Sequence, residues 1–370
     1  MRIGLISADF APNVGGVAAH VVELGKALAK AGHEVHVITL PLGDMREKQA
    51  RWEGMQVHRP RIPKGKPFYS WLLARWLKRF LAETPLDILH VHGLRPLEAT
   101  RGLNIPVLFT NHTSGFLRRI EKGEGELREM AARLKHICHV LAPSEQLCDA
   151  TRLTGYKGPV SFIPNGVDTD RFQPSPSGLR DKWSITQDEV VILLARRLVD
   201  KNGVVIFAEA TAALKGLPVR IVFAGDGPER EKVASIIEKH GMMDKAIFLG
   251  NVPNPDMPDI YNAADISVLP SFMEATSITG LESMACGLPL VGTEVGGIPV
   301  LIDEGTTGFL VPPGNPQRLG EQMRTLAQDA SLRQSMGSRS REKAVTEFSW
   351  KNIAARTAEI YNEAQSHDTD

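Results

Sequence analysis

Two carboxylates, Glu274 and Glu282, stand eight residues apart inside PSFMEATSITGLESMACGLPLVGTEVGGIPVLIDEGTTGFLVPPGN, residues 270–315. The loop between them is small, polar and glycine-containing, so the pair can do two jobs. A carboxylate near a helix N-terminus can stay ionised and accept hydrogen bonds from two vicinal hydroxyls, as on a ribose, while the other meets a hexose. Upstream, ARRLVDKNG, residues 195–203, gathers Arg196, Arg197 and Lys201 in one loop. Cations held there can neutralise a departing diphosphate. FAGDGPER, residues 223–230, sets Gly225, Asp226, Gly227 and Pro228 at a strand end before a helix, with proline suited to the first helical turn. Near the start of the chain, Pro12-Asn13-Val14-Gly15-Gly16 stands in a similar place. Small residues there let backbone N–H groups reach a phosphate or a sugar, and the helix dipole favours negative charge. Each feature taken alone also has a plainer reading, as a tight turn, a solvated loop or a surface pair of glutamates.

The elements that must position these groups follow from short apolar runs. RIGLIS (2–7), the DFAPNVGG loop, a helical stretch from Val17 to Ala31 closed by Gly32, and a second run from Glu34 to Leu40 make a strand–helix–strand unit. Such a unit implies a parallel sheet with a right-handed crossover. Runs at 88–92, 107–112 and 139–144 add strands that end in polar or small loops, where an open parallel sheet keeps its ligands. PNGVDTDRFQPSPSG (164–178) reads as an interdomain linker. Strand candidates at 190–196, 219–225, 246–250, 266–270 and 288–293 then repeat the pattern. The fold class expected is α/β, two doubly wound Rossmann-like domains facing across a cleft. Residues 1–173 form the first, 174–346 the second, and a helix over 347–366 packs back on the first.

Composition narrows the partners. Lys+Arg and Asp+Glu are equal at 43 each, so no global field draws in nucleic acid. The start of the chain lacks a basic stretch followed by a long apolar run, and no window reaches the ~18 uncharged apolar residues of a membrane span. Three cysteines, Cys138, Cys148 and Cys286, form no CxxC pair, which argues against a disulfide framework or a structural zinc site. A reducing, cytoplasmic setting is expected, and Cys148 is read as core rather than nucleophile.

With these motifs assembled, the chain resembles the retaining GT-B glycosyltransferases of the family 4 type, over Met1 to about Tyr361. Four motifs stand in the family's order: Pro12 to Gly16, PNGVD…F from Pro164 to Phe172, the arginine–lysine loop before Gly203, and Glu274 to Val291 with ACGLPLV. By that resemblance Glu282 is the ribose carboxylate and Glu274 lies near the donor sugar. Ser277, Ile278 and Thr279 fall in the same donor block, and Gly15 and Gly16 lie under the donor phosphates, with Gly225 and Gly227 also on the donor side. His112, in TNHTSGF, matches the active-site histidine, and His92, in HVHG, is similar in placement. Counted back from Gly203, the family's arginine and lysine fall on Arg197 and Asn202; counted from the strand end, Arg196 and Lys201 keep the five-residue step. EATSITGLE departs from the family's EGFG pattern, and Val300 stands where a Glu often does, which leaves the donor sugar open.

The resemblance implies transfer of a hexose from a UDP-, GDP- or ADP-linked donor to a hydroxyl of a glycan, lipid-linked or small-molecule acceptor, with retention of anomeric configuration. The leaving diphosphate oxygen then serves as base, and no cofactor or metal is expected. Asp168-Thr169-Asp170 spells DxD but reads as turn and capping chemistry. Residues 64–83, with Trp71, Trp76, Phe80, Lys64, Lys66, Arg75, Lys78 and Arg79, suggest a basic amphipathic helix able to rest on the inner face of a membrane or to pack one face into the core. A nucleotide-sugar epimerase and a degenerate binding scaffold are the competing readings.

Overall fold

A computed structural model describes residues 1–11, 15–40, 49–62, 68–112 and 114–366. Pro12, Asn13, Val14, Lys64, Lys66 and Thr113 lie outside the described residues. The chain divides into two compact units, one of Met1–Gly166 with the segment from Trp350 onward, the other of Val167–Ser349.

The first unit is built on strands β1 (Arg2–Ser7), β2 (Glu34–Thr39), β3 (Gln49–Trp52), β4 (Met55–His58), β5 (Ile88–His92), β6 (Val107–Thr110), β7 (His139–Ala142) and β8 (Val160–Phe162). Their order is β3-β4-β2-β1-β5-β6-β7-β8, parallel except for the β3–β4 hairpin. Strands β1, β5, β6 and β7 are near-continuous apolar runs because helices cover both faces of the sheet. One face is closed by the Gly16–Lys30 helix, through Val21, Leu24 and Leu28, and by the Trp350–Ser366 helix, through Ile353, Ile360 and Tyr361. The other is closed by the Phe68–Glu83 helix, through Tyr69, Leu73, Leu77 and Phe80. No described helix is long and apolar enough to cross a membrane.

The second unit holds β9 (Val190–Ala195), β10 (Val219–Ala224), β11 (Ala246–Gly250), β12 (Ile266–Leu269), β13 (Leu290–Thr293) and β14 (Gly308–Val311) in the order β11-β10-β9-β12-β13-β14, all parallel. The linker reading put the boundary after 173, but Val167 already belongs to the second unit. Its N–H donates to the Phe348 carbonyl at 2.8 Å and it bridges Ser349, while Phe172 is buried in that unit's core. The chain thus leaves the first unit at Gly166 and re-enters it at Trp350. Within the DxD stretch, Asp168 Oδ1 accepts from the backbone N–H groups of Asp170 and Arg171, both at 3.1 Å, which is turn chemistry.

Candidate active site

In the second unit β9 and β12 are neighbours, so the residues that follow them emerge side by side at the C-terminal edge of the sheet. Arg196, just after β9, donates to Glu274 Oε2 and to Ser271 Oγ, both in the segment after β12. The Arg196 and Glu274 side chains are mostly buried, so each charge depends on the other. Thr293, at the end of β13, donates to the Ser271 carbonyl at 2.7 Å and ties in a third strand end. A Cβ on Gly296 would fall 1.5 Å from the Glu274 carbonyl oxygen, and one on Gly297 would fall 2.2 Å from that of Ala275. The glycine pair of EVGG is therefore what lets this loop close under Glu274.

Glu282 sits in the second turn of the Ile278–Ala285 helix and is 6% exposed. Burial pushes its carboxyl up to about 7, opposed by a hydrogen bond from the Tyr261 hydroxyl at 2.7 Å and by Arg171. Depth in the fold therefore works against the ionised form the sequence reading expects, and the helix dipole, which acts mainly in the first turn, does little to offset it. Ser277 is the helix N-cap, its Oγ accepting from the Gly280 N–H at 3.2 Å, and Thr279 Oγ1 lies 3.3 Å from that oxygen. Ile278 is exposed.

Arg197 and Lys201 are exposed, with no ion pair among the described residues, whereas Asn202 is buried and donates to the Arg197 carbonyl at 2.8 Å. Of the two registers the sequence offers, Arg196/Lys201 and Arg197/Asn202, each thus joins one exposed residue to one engaged in the fold: Arg196 is held by Glu274, and Asn202 by the Arg197 carbonyl. Gly225 and Gly227 serve the chain itself, since a Cβ there would lie 2.0 Å from the Arg196 carbonyl oxygen and 2.2 Å from that of Leu198. Leu198 N–H donates to the Asp226 carbonyl at 3.0 Å, so the two loops are laced together.

The first unit gathers histidines at its strand ends. His92 Nδ1 lies 2.9 Å from His112 Nε2, and His20, one turn into the Gly16–Lys30 helix, stacks edge-on to His112 at 4.4 Å and bonds Asn165 Oδ1 at 2.9 Å. One nitrogen from each of His20, His92 and His112 falls within 4.8 Å of the others. Burial first, then mutual repulsion, holds His92 and His112 well below the usual range; burial brings His20 to about 4. All three are neutral imidazoles at pH 7. Gly15 has extended backbone, and a Cβ on Gly15 or Gly16 would meet no described atom within 4 Å.

Sequence reasoning missed Ser271, Tyr261 and His20. Only His20 had a usable signal, its position four residues after Gly16 on one helix face. Cys148 is fully buried and its thiol is pushed up to about 11 by burial, while nearby His136 and His139 bond Thr100 and Ser161. Burial and the raised thiol both argue against a nucleophile there.

Two Rossmann-like parallel-sheet units are the architecture of the GT-B class of glycosyltransferase fold, and the second carries the Arg196–Glu274 ion pair at adjacent strand ends. The sequence model for glycosyl transferases group 1 matches residues 178–343, and that for glycosyltransferase family 4 matches residues 14–171. The chain belongs to the family 4 glycosyltransferases. It is 27% identical to N-acetyl-alpha-D-glucosaminyl L-malate synthase of Bacillus anthracis over 96% of each chain. In structure it is similar to sucrose-phosphate synthase from Thermosynechococcus elongatus, with TM-score 0.80 and 23% identity over 99% of both chains. It is also similar to the HepE protein of Anabaena solved with UDP, with TM-score 0.79 and 21% identity over 98% of this chain and all of that one.

Proposed function

We propose that the protein transfers a hexose from a nucleoside-diphosphate sugar to an acceptor hydroxyl with retention of anomeric configuration. The observation that carries this reading is Glu282, a buried carboxylate whose Oε2 is held by Tyr261 in a unit whose neighbouring strand ends present the Arg196–Glu274 pair. Ionised, Glu282 would accept both ribose hydroxyls of the nucleotide, and Glu274 would meet the sugar. Arg197 and Lys201, exposed on the same loop, would take the diphosphate, with Arg196 fixing Glu274 in place. In the first unit we assign the Gly15–Gly16 amides to phosphate and neutral His112 to a sugar hydroxyl.

No side chain need be a nucleophile on this reading. The leaving diphosphate would take the acceptor's proton on the face from which it departs, and the protein would supply position and charge stabilisation. The HepE structure holds UDP, which makes UDP the first nucleotide to try. We infer that no metal is required. The histidine trio is where an ion would bind if that inference failed. The acceptor would be a glycan, a lipid-linked or a small hydroxyl compound. Phe68 and Trp71, both more than half exposed on the basic Phe68–Glu83 helix, support contact with the cytoplasmic face of a membrane.

Calorimetric titration of the wild-type protein and of Glu282→Ala with UDP, GDP and ADP, with and without EDTA, tests the reading. One nucleotide should bind the wild type, EDTA should not change it, and the variant should lose it. No binding of any nucleotide would overturn the donor assignment. The anomeric configuration of the product, read by NMR, tests retention.

A further inference from the structure

The first unit carries a second convergence of polar groups at β4, three strand positions from β5 and so roughly 14 Å from its histidines. A cavity of about 530 Å³ lies between the end of β4 and the last turns of the Phe68–Glu83 helix, lined by His58, Arg59, Arg61, Trp76, Arg79 and Glu83. That is room for far more than a water molecule, whose share of the liquid is about 30 Å³.

The polar chemistry of its wall is set from inside the sheet. Glu34 Oε1 lies 2.9 Å from His36 Nε2, and His36 Nδ1 lies 3.0 Å from His58 Nε2. A carboxylate only accepts, so His36 carries its proton on Nε2, and in its neutral form accepts at Nδ1 from His58 Nε2–H. The remaining nitrogen of His58, Nδ1, is then a bare lone pair. It is buried, and among the described residues it has no hydrogen-bond partner. A buried acceptor without a donor is costly unless a ligand supplies one.

Around that acceptor the charge is positive. Arg59 is 4% exposed, with Nη2 donating to the Ala11 carbonyl at 3.0 Å. Arg61 is exposed and forms no ion pair among the described residues, and Arg79 faces Glu83 at 2.9 Å on the rim. Arg61 and Arg79 against the one carboxylate of Glu83 suit an anion, and arginine forks match phosphate geometry. Trp76, stacked on Phe80 at 4.8 Å, offers an apolar wall beside them.

We propose that this cavity binds a phosphate ester bearing a free hydroxyl, with the phosphate on Arg61 and Arg79 and the hydroxyl donating to His58 Nδ1. Inorganic phosphate keeps a P–OH donor of its own at neutral pH but has no organic part to lie against Trp76 or to carry a hydroxyl to His58 while the phosphate stays on the arginines, so the ester should be preferred. The ester can be a soluble small molecule or the headgroup of an anionic lipid.

Titration of the full chain with glycerol 3-phosphate and with inorganic phosphate, and flotation with phosphatidylglycerol or phosphatidylcholine vesicles, separate the sources. Glycerol 3-phosphate should bind more tightly than inorganic phosphate if the ester is soluble, and binding confined to phosphatidylglycerol vesicles assigns the lipid. In either case the exposed double variant Arg61→Ala/Arg79→Ala should weaken binding tenfold or more. His58→Phe, a ring of similar size, should erase the preference for the hydroxylated ester; should it fail to fold, the arginine variant still decides. The proposal falls if neither source binds, if binding is unmoved by the arginine variant, or if inorganic phosphate binds the wild type as well as the ester does. UDP titration of the arginine variant should match the wild type, which keeps this site's fate separate from that of the donor reading.

Discussion

Gly15–Gly16 and Gly225…Gly227 look alike on paper, each a glycine pair at a strand–helix junction, but the structure gives them opposite reasons. Gly225 and Gly227 press against the carbonyls of Arg196 and Leu198, so the chain itself forbids a side chain there. Gly15 and Gly16 face open space, so among the described residues nothing in the fold demands glycine. One pair is explained by packing; the other leaves room that a ligand can use. A glycine motif therefore points to a ligand only after packing has been checked.

The largest effect should come from forcing a side chain into the packed pair. Gly225→Ala, at φ 147° and 2.0 Å from a carbonyl oxygen, should cost about 2–4 kcal/mol of stability, seen as a lowered melting temperature. If Gly225→Ala melts like the wild type, the packing account of that pair fails. Next, Glu282→Ala should weaken nucleotide binding roughly 10–100-fold through loss of charge-assisted bonds. Gly15→Val sharpens the contrast. Its melting temperature should stay close to the wild-type value while transfer activity drops about tenfold, and a stability loss without an activity loss would reverse our reading of the open pair.

A smaller effect should follow pH. The folded-state pKa of Glu282, about 7, lies above its ordinary value of 4.5, so the folded protein holds the proton more tightly than the unfolded chain. Stability from this group is fully present below the unfolded value and is lost as pH rises towards 7, by a few kcal/mol at most, and Glu282→Gln should flatten that slope in thermal melts. Nucleotide affinity should run the opposite way, rising through pH 7 as the carboxylate ionises. Smallest of all, Tyr261→Phe removes one donor to Glu282 and should lower affinity only several-fold.

The strands that carry the site were legible because β1, β5, β9, β10 and β12 are apolar runs long enough to show themselves. The β3–β4 hairpin, β8 with three residues, and β14 inside the Glu274–Glu282 block were not, since each is too short or too mixed to give a period. In the site, Glu274, Glu282 and the arginine loop could be read from their spacing and the family resemblance. The partner of each could not. Ser271, Tyr261 and Asn165 become partners only through tertiary approach, and the raised pKa of Glu282 comes from depth that no local pattern records.

The two crossings at Gly166 and Trp350 impose an order on synthesis. When the ribosome has delivered residue 349, the second unit is complete and can fold as a contiguous block. The first unit, though begun earlier, still lacks the helix that carries Ile353, Ile360 and Tyr361 onto its sheet. The N-terminal sheet must therefore wait, with the part of that face beside the Gly16–Lys30 helix uncovered, until residues 350–366 emerge, and a nascent-chain chaperone would find apolar surface there rather than on the second unit.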